Sequence, residues 1–159
     1  MLTEEQRDKL TQTLAICDLH YQRMMFAWES INKYFPLTEL TLGRLSPIEL
    51  ALFDQLIYRF SKLQDSMGAR LFKQMLEALE EDISGLPFLD ILYKLEKLNL
   101  IDNAKDWISL RQTRNTISHE YPFIKEVQME ELNLLPEEVV KLVAIWLKLK
   151  GYACKRFEL

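Results

Sequence analysis

Helical periodicity is the feature that most restricts how this chain can fold. In the N-terminal segment, apolar residues recur at alternating spacings of four and three: Leu10, Leu14, Cys17, Tyr21, Met24, Trp28 and Ile31. Because an α-helix has about 3.6 residues per turn, this spacing lines one face of a long helix, predicted near 4 to 33. Thr3 can cap its N-terminus, with Gln6 reaching back to complete a capping box.

A second long helix is predicted after an irregular loop over 34–45. Ser46, Pro47 and Glu49 combine an N-cap, a proline at the first helical position and a capping-box acid. We expect this helix to run to about Glu81. Its buried stripe should consist of these apolar side chains: Phe53, Ile57, Phe60, Met67, Leu71, and Met75 or Leu76.

The second half of the chain predicts shorter helices. They are expected over 88–98, from Asp102 or Asn103 to a stop at Pro122, and from Leu135 to just before Gly151. The chain has only four glycines and five prolines, and no alternating run of β-branched residues predicts a strand. We therefore predict one all-α domain over 1–159, an antiparallel helical bundle of about five helices with two long N-terminal helices.

Charge and cysteine content restrict the class of function. The net charge of −4 argues against a broad nucleic-acid surface, so we expect any nucleic-acid contact to be local. Cys17 and Cys154 are the only cysteines and have no metal-ligand spacing around them, which predicts reduced thiols and no metal or cofactor. No secretory layout begins the chain and no apolar run is long enough for a membrane span, so we expect a cytoplasmic protein without membrane contact.

A polar stripe accompanies the second predicted helix. Its members recur every three or four residues: Asp54, Tyr58, Ser61, Asp65 and Gly68. A glycine within a helix costs about 1 kcal/mol relative to alanine. We therefore expect Gly68 to allow close approach by another backbone.

The stretch from Arg111 to Pro122, RQTRNTISHEYP, concentrates the chemically active side chains. Six consecutive polar residues over 111–116 cover every face of a helix, which no ordinary core helix does. Two interpretations are open: the helix end leaves the core and is solvated, or it lines a polar cleft. For the cleft, the candidate supporting residues are Arg111, Asn115, Ser118 and, from the second helix, Asp65.

Arg114 and His119 provide the side chains for phosphodiester chemistry. Imidazole is the natural general acid or base near neutral pH, and guanidinium binds phosphate with two parallel hydrogen bonds. No Ser-His-Asp arrangement, Gly-rich phosphate loop or metal-ligand spacing is legible in the sequence. RNA supplies its own nucleophile, the 2′-hydroxyl, so a metal is not required.

Arg114, His119 and Tyr121 form an R-x4-H-x-Y motif that resembles the HEPN superfamily, and within it the HepT-like toxins of toxin–antitoxin pairs. The resemblance is tight over about 111–122 and elsewhere depends on helix order and length. It implies that Arg114 and His119 catalyse metal-independent RNA cleavage in the cleft of a homodimer. It also implies that a partner nucleotidyltransferase, the antitoxin, modifies Tyr121 with AMP.

Two other functions are compatible with the same residues. Related HEPN proteins act as non-catalytic companion or substrate-binding subunits of nucleotidyltransferases, and a helical scaffold without any site would leave Arg114 and His119 in solvent. Tyr121 could equally anchor the helix end as an apolar ring. His20, beside the apolar stripe of the first helix, is interpreted as a packed or surface histidine.

Overall fold

Side-chain caps set the starts of the two long helices. In a computed structural model, which describes residues 1–118 and 126–159, helix α1 (Glu4–Ile31) begins after Thr3, whose hydroxyl accepts a hydrogen bond from the backbone of Gln6 at 3.1 Å. Gln6 reciprocates by accepting from the backbone N–H of Thr3 at 3.0 Å. Ser46 and Glu49 form the same capping box at the start of α3 (Pro47–Ser66). Both predicted starts are confirmed.

The described residues form helices and no strands, which confirms the all-α class. A wider, π-type turn (Met67–Leu71) continues α3 into α4 (Phe72–Ala78), so the second long helix is continuous from 47 to 78. It runs antiparallel to α1, since Met1 pairs with Glu80 and His20 contacts Arg59. The remaining helices are α2 (Glu39–Gly43), α5 (Phe88–Lys97), α6 (Ala104–Ile117), α7 (Glu126–Leu132) and α8 (Leu135–Phe157).

The predicted loop over 34–45 contains the short helix α2, which the sequence pattern missed. Thr38 caps it by accepting from the backbone N–H of Thr41 at 3.1 Å. Asn133 holds the preceding residue, accepting from the backbone N–H of Leu37 at 2.6 Å and donating to its carbonyl at 2.9 Å. A five-residue helix leaves too few apolar repeats to be recognised, and its anchor lies 96 positions away in the chain.

Two predicted helix ends were wrong. Helix α6 ends at Ile117 with Ser118 as its C-cap, before the predicted stop at Pro122. Helix α8 continues through Gly151 to Phe157. Ala153 and Phe157 are buried beyond the glycine, and packing of this apolar face outweighs a glycine cost of about 1 kcal/mol.

The predicted core stripes of the long helices are confirmed. All residues proposed for the second helix are buried, including both Met75 and Leu76. In α1, most of the stripe is fully buried, whereas Tyr21 and Trp28 are partly buried against the core. No helix in the described part of the chain combines the length and the apolar character that a membrane span needs.

Candidate functional site

A cavity of about 440 Å³ lies where α3, the π-type turn and α4 face α5 and α6. This volume is within the range of small-molecule sites, which is roughly 300 to 1,000 Å³. The exposed and half-exposed lining residues include four charged ones, here called the mouth: Asp65, Lys73, Arg111 and Arg114. The more buried lining includes Gln64, Phe88, Ile91 and Trp107. Of these four, Gln64 is polar and the others are aromatic or apolar.

Helix α6 brings Arg111 and Arg114 to the same cavity because residues three apart are neighbours on a helix surface. The guanidinium of Arg111 lies 4.9 Å from the ring centroid of Phe88, in the first turn of α5. This cation–π contact holds the side chain against the cavity wall. Arg111 is thereby positioned by an aromatic ring rather than by an acid.

Arg114 is positioned by hydrogen bonds instead. Its Nη2 donates to Oδ2 of Asp65 at 2.9 Å, and its Nη1 donates to Oδ1 of Asn115 at 3.1 Å. The two side chains of the ion pair are 32% and 45% exposed, so the pair stabilises the fold by at most about 1 kcal/mol. Its main effect is orientation, since it links α6 to α3 and fixes the guanidinium at the mouth.

Gln64 is the buried polar residue of the cavity. It is only 3% exposed, and neither its Nε2 nor its Oε1 has a hydrogen-bond partner among the described residues. The indole N–H of Trp107 is also buried without a partner. A buried polar group that forms no hydrogen bond typically costs about 1 to 3 kcal/mol. Such groups are expected where a ligand or an ordered water completes the hydrogen bonding.

Sequence reasoning missed Gln64, although the sequence contains a signal for it. The predicted core stripe steps from Phe60 directly to Met67, a gap of seven where helical spacing requires an intermediate residue. Leu63 and Gln64 both lie in that gap, and both are buried. The signal in the sequence is therefore a polar side chain next to an apolar one at a core position of the stripe.

Gly68 permits close packing, as predicted, but by a side chain. A Cβ built on Gly68 would lie 3.2 Å from Cζ2 of Trp107 and 3.8 Å from Cζ of Phe88. The expected backbone neighbour is therefore replaced by an indole. The absent side chain lets Trp107 pack against the π-type turn and form part of the cavity wall.

In the polar run over 111–116, some side chains line the cleft and others are solvated, so each of the two interpretations holds for part of the run. Arg111 and Arg114 line the cavity, whereas Gln112 and Asn115 are exposed and Thr113 is buried at 2% exposure. One face of the run is therefore a cleft face, and another is solvated.

The other candidate residues have different positions. Ser118 is exposed at the C-terminal end of α6 and is not among the cavity-lining residues. Ser61 of the polar stripe is buried, while Asp54 and Tyr58 are exposed. His119 and Tyr121 lie outside the described residues.

The mouth carries three cations and one carboxylate, and this excess is opposite in sign to the net charge of −4. An anionic group such as phosphate is therefore favoured there. Within 1–118 and 126–159, no cluster of three or more His, Cys, Asp or Glu side chains has a metal-binding arrangement.

Two titratable groups lie away from the cavity. Nδ1 of His20 is 2.8 Å from Nη1 of Arg59, and because a guanidinium can only donate, Nδ1 must accept. Burial, together with the charge of Arg59, lowers the pKa of His20. Burial raises the pKa of the Cys17 thiol to about 12.

Comparisons with known proteins give no assignment: no family model, no curated protein and no solved structure matches this chain.

Proposed function

We propose that this protein is a metal-independent RNA-cleaving toxin of the HEPN type, acting as a homodimer. The observation that carries the proposal is the convergence of Lys73, Arg111 and Arg114 on one cavity. Arg114 also lies in the last turn of the helix that leads to His119. A phosphate-binding cluster beside the sequence position of a general acid–base residue suits phosphodiester cleavage.

The proposed reaction uses the 2′-hydroxyl of RNA. Its oxygen attacks the adjacent phosphorus while the bond from phosphorus to the 5′ oxygen breaks, which leaves a 2′,3′-cyclic phosphate and a 5′-hydroxyl. One base accepts the 2′ proton and one acid protonates the leaving oxygen. In a homodimer, His119 of the two copies would provide both groups.

Arg114 would stabilise the negative charge that develops on the non-bridging phosphate oxygens. Electrostatic stabilisation is strongest when the charged group is held in place before the reaction. The hydrogen bond from Arg114 to Asp65 supports this role because it limits the rotation of the guanidinium. Asp65 is accordingly proposed as a positioning residue.

Regulation by a nucleotidyltransferase antitoxin is part of the same proposal. Tyr121 follows His119 by two positions, so an AMP group attached to its hydroxyl would add a negative charge and bulk near the proposed catalytic residue. Such a group would compete with the RNA phosphate. Mass spectrometry after co-expression with a nucleotidyltransferase encoded beside this chain should detect an AMP adduct on Tyr121.

RNA cleavage in the presence of EDTA tests the catalytic proposal. We expect products with 2′,3′-cyclic phosphate ends, and a loss of at least about a hundredfold in His119→Ala, the lower range for removal of an acid–base group. His20→Ala is the matched control, since the chain has only two histidines. Unchanged cleavage by His119→Ala would contradict the assignment.

The alternative is a non-catalytic companion or substrate-binding subunit of a nucleotidyltransferase. It is favoured by exposed apolar side chains on α8, where Val140 is 66% and Leu147 is 46% exposed. These residues are seven apart and so share one helix face, which a partner could cover. This alternative predicts co-purification with the nucleotidyltransferase and no cleavage of RNA.

A further inference from the structure

We propose that the cavity beside Arg111 and Arg114 is a nucleobase-binding subsite in which the amide of Gln64 recognises the edge of the base. This inference deepens the proposed function, because it assigns the cavity to one nucleotide of the RNA substrate. The unpartnered buried amide of Gln64 is the observation on which it depends.

The lining of the cavity has the composition of a site for a planar ring. Phe88 and Trp107 provide aromatic surface, and Arg111 lies over the Phe88 ring at 4.9 Å. Proteins that bind unpaired bases stack them on aromatic rings and on guanidinium planes. A volume of about 440 Å³ accommodates a base together with part of its sugar.

Gln64 provides both halves of a base contact. A carboxamide offers one acceptor and two donor hydrogens on adjacent atoms, and glutamine pairs in this way with the amino group and ring nitrogen of adenine. In Gln64 both atoms are buried without a partner among the described residues. The indole N–H of Trp107, which also lines the cavity and has no partner, supplies a further donor.

Packing alone does not explain an amide at position 64. The neighbouring core positions of the stripe are Phe60 and Met67, both fully buried, and an apolar side chain of similar size would leave no polar atom unsatisfied. Methionine has nearly the shape of glutamine. A purely structural residue here would therefore gain from replacement by methionine, whereas a binding residue would lose its ligand.

The charges at the mouth determine whether a nucleotide or a free base binds. Lys73, Arg111 and Arg114 lie at the opening, where they can contact the phosphate attached to a base held inside. The ligand is therefore a nucleotide rather than a free base. Adenosine 5′-monophosphate is the first probe, because adenine presents a donor and an acceptor side by side.

Calorimetric titration in EDTA measures this binding without requiring cleavage. We expect the wild-type protein to bind adenosine 5′-monophosphate more tightly than ribose 5-phosphate, which keeps the phosphate and lacks the base. In Gln64→Met, affinity for the nucleotide should fall roughly tenfold or more, the factor expected for loss of a two-hydrogen-bond contact, while affinity for ribose 5-phosphate stays the same. The other three nucleoside monophosphates define the base preference.

Gln74→Met is the matched control. Its Oε1 is also buried without a partner, but Gln74 does not line the cavity. It should leave nucleotide binding unchanged. The melting temperature of Gln64→Met should not fall below that of the wild type, which excludes loss of binding through unfolding.

The outcomes separate this inference from the proposed function. If no nucleoside monophosphate binds more than threefold tighter than ribose 5-phosphate, or if Gln64→Met binds like the wild type, the cavity holds only water and the subsite is overturned. Base binding that depends on Gln64 in a protein that cleaves no RNA would support the subsite and contradict the nuclease. If Gln64→Met cleaves RNA with the same base preference at the cleavage site as the wild type, the subsite is contradicted and the nuclease is not.

Discussion

Arg114 and Asp65 are 49 positions apart in the chain, yet their side chains meet at 2.9 Å across the mouth of the cavity. The contact joins the last turn of α6 to the end of α3, the two helices that supply most of the charged lining. It directly links Arg114 of the R-x4-H-x-Y motif to the second long helix.

Asp65→Asn should impair the proposed RNA cleavage without impairing folding. The substitution removes the charge that orients Arg114, and small misplacements of a catalytic group reduce rates by about ten- to a hundredfold. The free energy of unfolding should change by less than about 1 kcal/mol, because both partners are substantially exposed. Initial rates of RNA cleavage and urea denaturation measure the two effects.

The control for this prediction is another exposed ion pair. Asp102 accepts from Lys148 at 2.7 Å, away from the cavity. Asp102→Asn should alter neither cleavage nor stability appreciably. Wild-type cleavage by Asp65→Asn would show that Arg114 does not depend on this carboxylate.

Alanine substitutions at two helical glycines should have opposite effects on stability. In Gly68→Ala the new Cβ would lie 3.2 Å from the buried indole of Trp107, which is packed against Phe72 and cannot easily move. The crowding cost of about 1 to 3 kcal/mol exceeds the helix-propensity gain of about 1 kcal/mol. Gly151→Ala meets open space within α8 and should stabilise the protein by about 0.5 to 1 kcal/mol. Urea denaturation of the two variants measures both changes in the free energy of unfolding. A stabilised Gly68→Ala would show that the cavity wall is not tightly packed.

The first of these glycines shows where prediction from sequence succeeded and where it stopped. Periodicity and capping residues predicted the long helices and their buried faces, because both depend on local spacing. The neighbour of Gly68 was predicted as a backbone and is the Trp107 side chain, since that contact depends on how α6 packs on α3. Tertiary contacts of this kind have no local signal.

The candidate site was likewise predicted only in part. Arg111, Arg114 and Asp65 were named from sequence, and they line one cavity. Gln64 was missed because a single polar residue in a core stripe was treated as a gap. Lys73 was missed because its approach to the cavity depends on the π-type turn, for which periodicity at 3.6 residues gives no indication.

The two cysteines should differ strongly in reactivity. Cys17 is fully buried and its pKa is raised to about 12, so almost no thiolate is present at neutral pH. Cys154 is partly exposed. With Ellman's reagent, the native protein should show one reacting thiol and the denatured protein two. The reaction of the native protein should disappear in Cys154→Ser and persist in Cys17→Ala; rapid modification of Cys17 would contradict the burial.

His20 should make stability depend on pH in a defined window. Because the pKa of His20 is lowered in the folded state from the usual 6.5, the unfolded chain binds more protons than the folded protein as pH falls through 6.5. The contribution of neutral His20 to the free energy of unfolding is fully present above pH 6.5 and is lost as pH falls through the lowered folded pKa. Protonation would also place a charge on Nδ1 beside Arg59.

Denaturant midpoints between pH 7.5 and about 5, above the range in which carboxylates titrate, test this dependence. His20→Gln keeps an acceptor for Arg59 and should flatten the curve. Measurement in the His119→Ala background removes the contribution of the second histidine. An equally steep curve in His20→Gln would assign the effect to other groups.

The π-type turn at Met67–Leu71 joins two helical segments in different rotational registers. Upstream, Phe60 and Leu63 face the core; downstream, Met75 and Leu76 do, and Lys73 reaches the cavity. A π-type turn contains about one residue more than an α-helical turn of similar rotation, so removal of one residue from it can leave the buried faces on either side in register. Removal of one residue from the regular helix before or after it would instead rotate everything beyond by about 100° around the helix axis. In evolution or in engineering, this turn is therefore the place in the second long helix where a change of length by one residue is most easily absorbed.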